Sequence, residues 1–252
     1  MLRNSSFIIG SSVQATDGLI GSVVDLLHDD RVWGDGTGCD RAWTVRWAVV
    51  DTGSWLSGQR VLLPPEQLVP PGDEMGVFQV PLTRAEVEAS PPEVSDPPVS
   101  RCYEQALFGH YPWEPYWLGA GAFGIGTVPL MPALDDMDLP TGNEHLRSVE
   151  HLKGYRVEVL DGEIGHVEDL LIDPETWTIP LVEIVVGGWF SDRRIVLAPV
   201  QVEAIDWFQH TIRLRTTRAR LEASPRFDPP TAIDRDGLQR LLSHYGLPTD
   251  WI

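Results

Sequence analysis

The chain has 252 residues, 42% of them hydrophobic, with 37 acidic side chains against 19 basic ones and a formal charge of −18. That length allows one large domain or two ordinary ones, and the hydrophobic share predicts a packed core. The charge argues against a nucleic-acid module, which needs clustered Lys and Arg, and against passive adsorption to an anionic membrane surface.

The opening "MLRNSSFIIGSSV" carries one Arg and too short an apolar stretch for a secretory signal. No apolar run reaches the roughly 18 residues of a spanning helix. Asn4 stands in an N-S-S sequon, which carries little weight without such a signal. Asp17-Gly18 lies between apolar runs, a hairpin signal. Gly21 then falls inside a strand pattern, where glycine marks a bulge or tight bend. "RVWGDGTGCD" (31–40) reads as a long hairpin tip. Three strands follow, at 43–53, 59–68 and 76–80. Thr83 with Glu86 predicts a capping box, and Ser90-Pro91 stops that helix. A longer helix is expected over 100–111, starting on Ser100, with Tyr103 and Leu107 on its apolar side. A Gly/Ala/Pro-rich linker spans 118–146.

The remainder repeats what came before. "DGLIGSVVDLLHD" (17–29) returns as "DGEIGHVEDLLID" (161–173). From Trp43 the halves align without a gap, ending with Trp117 on Trp251. Of these 75 columns 22 are identical, too many and too clustered for chance, so the chain is a tandem duplication. The units span 7–117 and 147–252. In the second, Arg220 replaces Glu86, so Thr217 keeps the cap without the box. The last helix is expected over 234–246, starting on Asp234, with Leu241 on its apolar face. Short strands at close spacing predict a sandwich or closed barrel in each unit.

The string D-G-x-I-G-x-V-x-D-L-L-x-D, then W-T-V, V-V-x-T-G-x-W-L-x-G-x-x-V-L-L and L-T-R-x-x-V-E-x-S-P, resembles the PRC-barrel family. That family includes the cytoplasmic barrel of the photosynthetic reaction-centre H subunit and the C-terminal domain of the ribosome maturation factor RimM. The tail "PVSRCYEQALFGHYPWEPYW" is similar to the helical extension of stand-alone members. The resemblance implies a mainly β protein of two six-stranded antiparallel barrels in a pseudo-twofold arrangement, each followed by short helices. It implies a non-enzymatic assembly or interaction module at the cytoplasmic face of a reaction-centre-like membrane complex. A RimM-like adaptor for a basic ribosomal protein is the second reading, and a ligand-binding or enzymatic barrel the third. The H subunit's membrane helix and RimM's leading barrel have no counterpart here.

Chemistry-bearing motifs are sparse. "GAGAFG" (119–124) fits a dinucleotide pattern but lacks the flanking strand and helix. "DGTGCD" lacks the donors of a calcium loop, and "LDDMD" (134–138) reads as a solvated charge run. His166 stands opposite Ser22, which suits structure better than catalysis. His110 and His244 are equivalent helix-end residues; Cys39 and Cys102 form no framework, and Cys102 reads as a small core residue. No catalytic residue, metal site or cofactor is expected. Among ten Trp residues, Trp43/Trp177, Trp55/Trp189 and Trp117/Trp251 recur and predict shared packing. Trp33, Trp47, Trp113 and Trp207 do not recur. Trp113, Tyr116, Trp33 and Trp207 are the candidate partner-binding anchors, with packing between the units as the competing role. The expected partner is a protein, reached in the cytoplasm or at the inner membrane; a homodimer is compatible with this reading.

Overall fold

Strands form where β-branched and aromatic residues cluster between turn residues, and among the described residues the order of elements runs twice, with one additional strand, Val202–Asp206, in the second half. A computed structural model describes residues 2–30, 43–56, 58–69, 76–91, 99, 101–111, 113, 146–187, 193–225, 227 and 235–246. The expected hairpin tip at 31–40 and nearly all of the linker lie outside these residues. The first half contains β1 (Arg3–Asn4), α1 (Ser5–Ile8), β2 (Ser12–Ala15), β3 (Gly18–Asp29), β4 (Trp43–Asp51), β5 (Arg60–Leu63), β6 (Val77–Gln79), α2 (Arg84–Glu88) and α3 (Arg101–His110). The second contains β7 (Leu146–Ser148), α4 (Val149–Leu152), β8 (Arg156–Val159), β9 (Gly162–Asp173), β10 (Thr178–Val186), β11 (Arg193–Leu197), β12 (Val202–Asp206), β13 (Thr211–Leu214), α5 (Arg218–Glu222) and α6 (Arg235–Tyr245).

The protein is mainly β, with a curled sheet of half-barrel form. Among the described residues the sheet is continuous and thirteen-stranded, running β12-β13-β8-β9-β10-β4-β3-β2-β6, with β1, β5, β7 and β11 paired off this path. Most pairs are antiparallel, as expected. The exceptions are β2 with β6 and β8 with β13, which run parallel. In each half a long connection, rather than a hairpin, brings the late strand beside the early one.

Two features join the halves. First, β4 meets β10 antiparallel, with Thr44 opposite Thr178 and Trp43 opposite Ile179. Thr44 and Thr178 are equivalent columns of the repeat, so a pseudo-twofold axis passes between them. Second, the opening strands are exchanged. β1 of the first half pairs with β9, Arg3 on Ile172 and Asn4 on Leu171. β7 of the second half pairs with β3, Arg147 on His28 and Ser148 on Leu27. These are the same columns in reciprocal positions. The repeat therefore begins before the expected residue 7, at Leu2-Arg3, which matches Leu146-Arg147. Five residues of weak similarity, 2–6, concealed this start.

Gly21 and Gly165 are fixed by close approach. A Cβ at Gly21 would lie 1.9 Å from the Asp51 carbonyl oxygen, and one at Gly165 would lie 1.8 Å from that of Val185. Any side chain would push the neighbouring strand away. The core is one cluster that includes Trp43, Trp47, Trp177, Leu107 and Leu241, so the helices pack their predicted apolar faces inward. Trp43 and Trp177, the recurring pair, are both buried, and Phe78 approaches Trp177 from the other half at 6.2 Å.

Candidate functional site

The repeated aspartates Asp25 and Asp169 join the two halves. Asp25 and Asp169 lie within long strands rather than in turns. Each carboxylate reaches across to the other half and accepts hydrogen bonds from the start of its first helix. Asp169 accepts from the Ser5 amide at 3.1 Å, from the Ser6 amide at 3.4 Å and from both serine hydroxyls. Asp25 accepts from the Glu150 amide at 3.2 Å and from the Ser148 hydroxyl. These are N-cap bonds supplied by the opposite repeat. Burial raises the Asp25 pKa, and the hydrogen bonds from Ser148 and Glu150 oppose that rise. Asp17 and Asp161 work within their own halves. They accept from the amides of Arg84 and Arg218, each at 2.8 Å, which ties the hairpin turn to the short helix. The Thr83–Glu86 capping box is present. Thr217, however, makes no side-chain cap, a correction to the expectation; Asp161 serves the following amide instead.

Buried polar groups mark the seam. Glu183 on β10 is fully buried, receiving Arg194 at 2.6 Å on one oxygen and Asn4 of the opposite half at 2.9 Å on the other. Arg194 also reaches Glu168 at 2.8 Å. Burial pushes the Glu183 pKa up, against the pull of Arg194 and Asn4. His28 is fully buried, 5.2 Å from the Trp43 ring, and burial lowers its pKa to about 4. Trp47, one of the unmatched tryptophans, is buried and donates its indole N–H to Glu104 Oε1 at 2.9 Å.

His110 and His244 have matching roles. Their Nε2 atoms lie 3.0 and 3.1 Å from the carbonyl oxygens of Glu86 and Arg220, and each ring meets the following Tyr edge-on. A carbonyl only accepts, so each imidazole donates from Nε2. They fasten α3 to α2 and α6 to α5. His166 is exposed beside Glu168 at 3.6 Å.

Of the four predicted anchors, Trp33 and Tyr116 lie outside the described residues. Trp113 is half-buried, stacked on Tyr111 at 4.0 Å and packed against the core. Trp207 is also half-buried against the core, so the tryptophans that can be placed combine packing with partial exposure. The structure does not bring Trp113 and Trp207 into one constellation. Around Trp207, however, it assembles a cavity of about 390 Å³ lined by Leu146, Arg147, Ser148, His151, Tyr155, Trp207 and His210. The Arg147 guanidinium lies 4.8 Å from the Trp207 ring centre. Tyr155 meets Trp207 edge-on at 5.7 Å and stacks on His210 at 4.9 Å.

The turn between β12 and β13 is built firmly. Asp206 accepts from the amides of Phe208 and Gln209 at 3.0 and 2.8 Å, and the Arg156 amide donates to the His210 carbonyl at 2.9 Å. His210 adopts a left-handed φ of +54°. Trp207 and His210 are thereby held at the cavity, and Phe208 between them is 95% exposed. Sequence reasoning singled out Trp207 but missed its partners. Arg147, His151 and Tyr155 are more than fifty residues earlier in the chain, and only the strand pairing brings them near.

Among the described residues there is no group of three or more His, Cys, Asp or Glu side chains placed to hold a metal ion. Nor is there a helix long and apolar enough to cross a membrane. No family model matches the chain, and no curated protein is similar to it in sequence.

Proposed function

We propose that this protein is a non-catalytic assembly module of PRC-barrel type: two six-stranded barrel-and-helix units fused in one chain, docking on a protein partner at the cytoplasmic face of a reaction-centre-like membrane complex. The observation that carries the docking reading is Phe208, almost wholly exposed on a turn held by Asp206 and Arg156. A large apolar side chain on a pre-organised tip is a typical interface anchor, because little freedom is lost when it is covered. The charge of −18 favours a partner with a basic surface and gives association that weakens with salt. The motif residues support an architectural role: Gly21 and Gly165 permit close strands, while Asp17, Asp25, Asp161 and Asp169 cap helices.

The test uses the full chain and its Phe208→Ser variant, each incubated with solubilised membrane complexes and with small ribosomal subunits from the native host. Retention on a membrane complex that the variant loses supports the proposal. Co-sedimentation with ribosomal subunits transfers the function to the RimM-like reading. Equal retention of both chains, or of neither, overturns docking through the tip.

A further inference from the structure

We infer that the cavity around Trp207 is a binding site for a small planar anion, an aromatic carboxylate in chemical class. This goes beyond protein docking and does not depend on it. The volume of about 390 Å³ falls within the range of small-molecule sites, roughly 300–1,000 Å³. Its lining is flat aromatic surface: the edge-on Trp207 indole and Tyr155 phenol, and the His210 imidazole stacked on Tyr155 at 4.9 Å. Flat walls favour a ring or another conjugated plane.

The lining residues fix the sign of the charge. In a chain of −18, none of the seven carries a carboxylate. Arg147 supplies a permanent positive group with donors only, held over Trp207. Its contact with Asp30 is long, 3.9 Å from Nε to Oδ2. Ser148 is occupied in capping, since its oxygen accepts from the His151 amide at 2.9 Å and its hydroxyl serves Asp25. The imidazoles of His151 and His210 line the cavity and add ring N–H groups. A carboxylate matches the guanidinium, and a flat ring attached to it matches the walls.

Five of the seven lining residues differ in the first half, while Leu146 and Arg147 recur as Leu2 and Arg3. In the first half, the columns of His151, Tyr155, Trp207 and His210 hold Phe7, Ser11, Asp73 and Gly76. Gly76 has φ +120°, a value glycine reaches freely, whereas His210 holds φ +54° with a full side chain. A left-handed residue that is not glycine costs on the order of 1 kcal/mol. The second half thus carries a left-handed histidine at the cavity wall where its counterpart carries glycine.

Three probes separate charge from shape: benzoate, inorganic phosphate and benzyl alcohol. Each is titrated into the full chain by calorimetry, with the His ring protons followed by NMR. Benzoate is expected to bind saturably, at least about tenfold tighter than either of the others, and to shift the resonances of His151 and His210. Arg147→Gln should weaken benzoate by about tenfold or more, the worth of one charge-assisted contact. His210→Gly, which installs the first half's residue, should leave the melting temperature unchanged or higher while weakening benzoate. Phe208→Ser should leave benzoate binding intact, so a failure of docking and a failure of this site are distinguishable. Benzoate binding no tighter than that of phosphate or benzyl alcohol overturns the inference. So does binding that survives both cavity substitutions, or none at all.

Discussion

The first half buries an indole hydrogen bond where the second has leucines, and the second buries a carboxylate, paired with the partly exposed Arg194, where the first places valine. Trp47 donates to Glu104 in the first; the matching columns hold Leu181 and Leu238. Glu183 receives Arg194 and Asn4 in the second; its column in the first half holds Val49. The backbone plan is nonetheless the same, and so are Gly21 and Gly165, Asp17 and Asp161, Asp25 and Asp169. The difference teaches that recurrence follows backbone constraint. A glycine against a carbonyl, or a carboxylate on a helix start, admits few substitutes. A buried polar pair can be exchanged for an apolar one, as Trp47 and Glu104 are for Leu181 and Leu238, whereas Arg194 recurs as Arg60 although the column of Glu183 holds valine.

The ion pair gives the largest expected break in this symmetry. Arg194→Met strands Glu183 in the core and should cost about 3–5 kcal/mol in urea unfolding, the usual price of an orphaned buried charge. Changing Glu183→Val as well, to copy Val49, should recover most of that loss. Next comes His28, whose column holds Ile172. Asp29 and Arg147 are the charged groups beside it. The unfolded chain takes up a proton at His28 near pH 6.5, while the folded protein resists until about pH 4. Stability is therefore full above pH 6.5 and should fall by about 3 kcal/mol as the pH drops through that window. His28→Ile should flatten this part of the melting-temperature profile; an unchanged slope would assign the acid sensitivity elsewhere. Glu104→Leu leaves the Trp47 N–H without its acceptor and should cost about 2 kcal/mol, whereas Glu104→Gln, which keeps an acceptor, should cost much less. The smallest effect concerns the crossed caps. Asp169→Ala should cost about 1 kcal/mol and speed hydrogen exchange at Ser5 and Ser6, with Asp25→Ala milder because it serves fewer donors.

Much of the fold was legible because duplication displays each constraint twice. The hairpin at Asp17-Gly18, the close strands at Gly21, the capping box at Thr83 and the inward faces of Leu107 and Leu241 all follow from local chemistry. Crossing between halves was not legible. Asp25 and Asp169 look like strand or turn residues until their partners, more than a hundred residues away, are known. The exchanged strands are only two and three residues long, too short for any periodicity to register. The cavity was half legible: an unmatched Trp207 pointed to it, but the strained backbone of His210 has no sequence signal at all.

The exchanged opening strands have a consequence for how this molecule persists. One half expressed alone would leave its β3 or β9 edge uncovered and its first helix without the opposite half's carboxylate, and a second copy could satisfy both by rotation about the Thr44–Thr178 point. Fusion turns that encounter between molecules into a tether, so integrity no longer depends on dilution. It also frees each half to diverge, which a self-pairing single copy, obliged to place every change on both sides, cannot do.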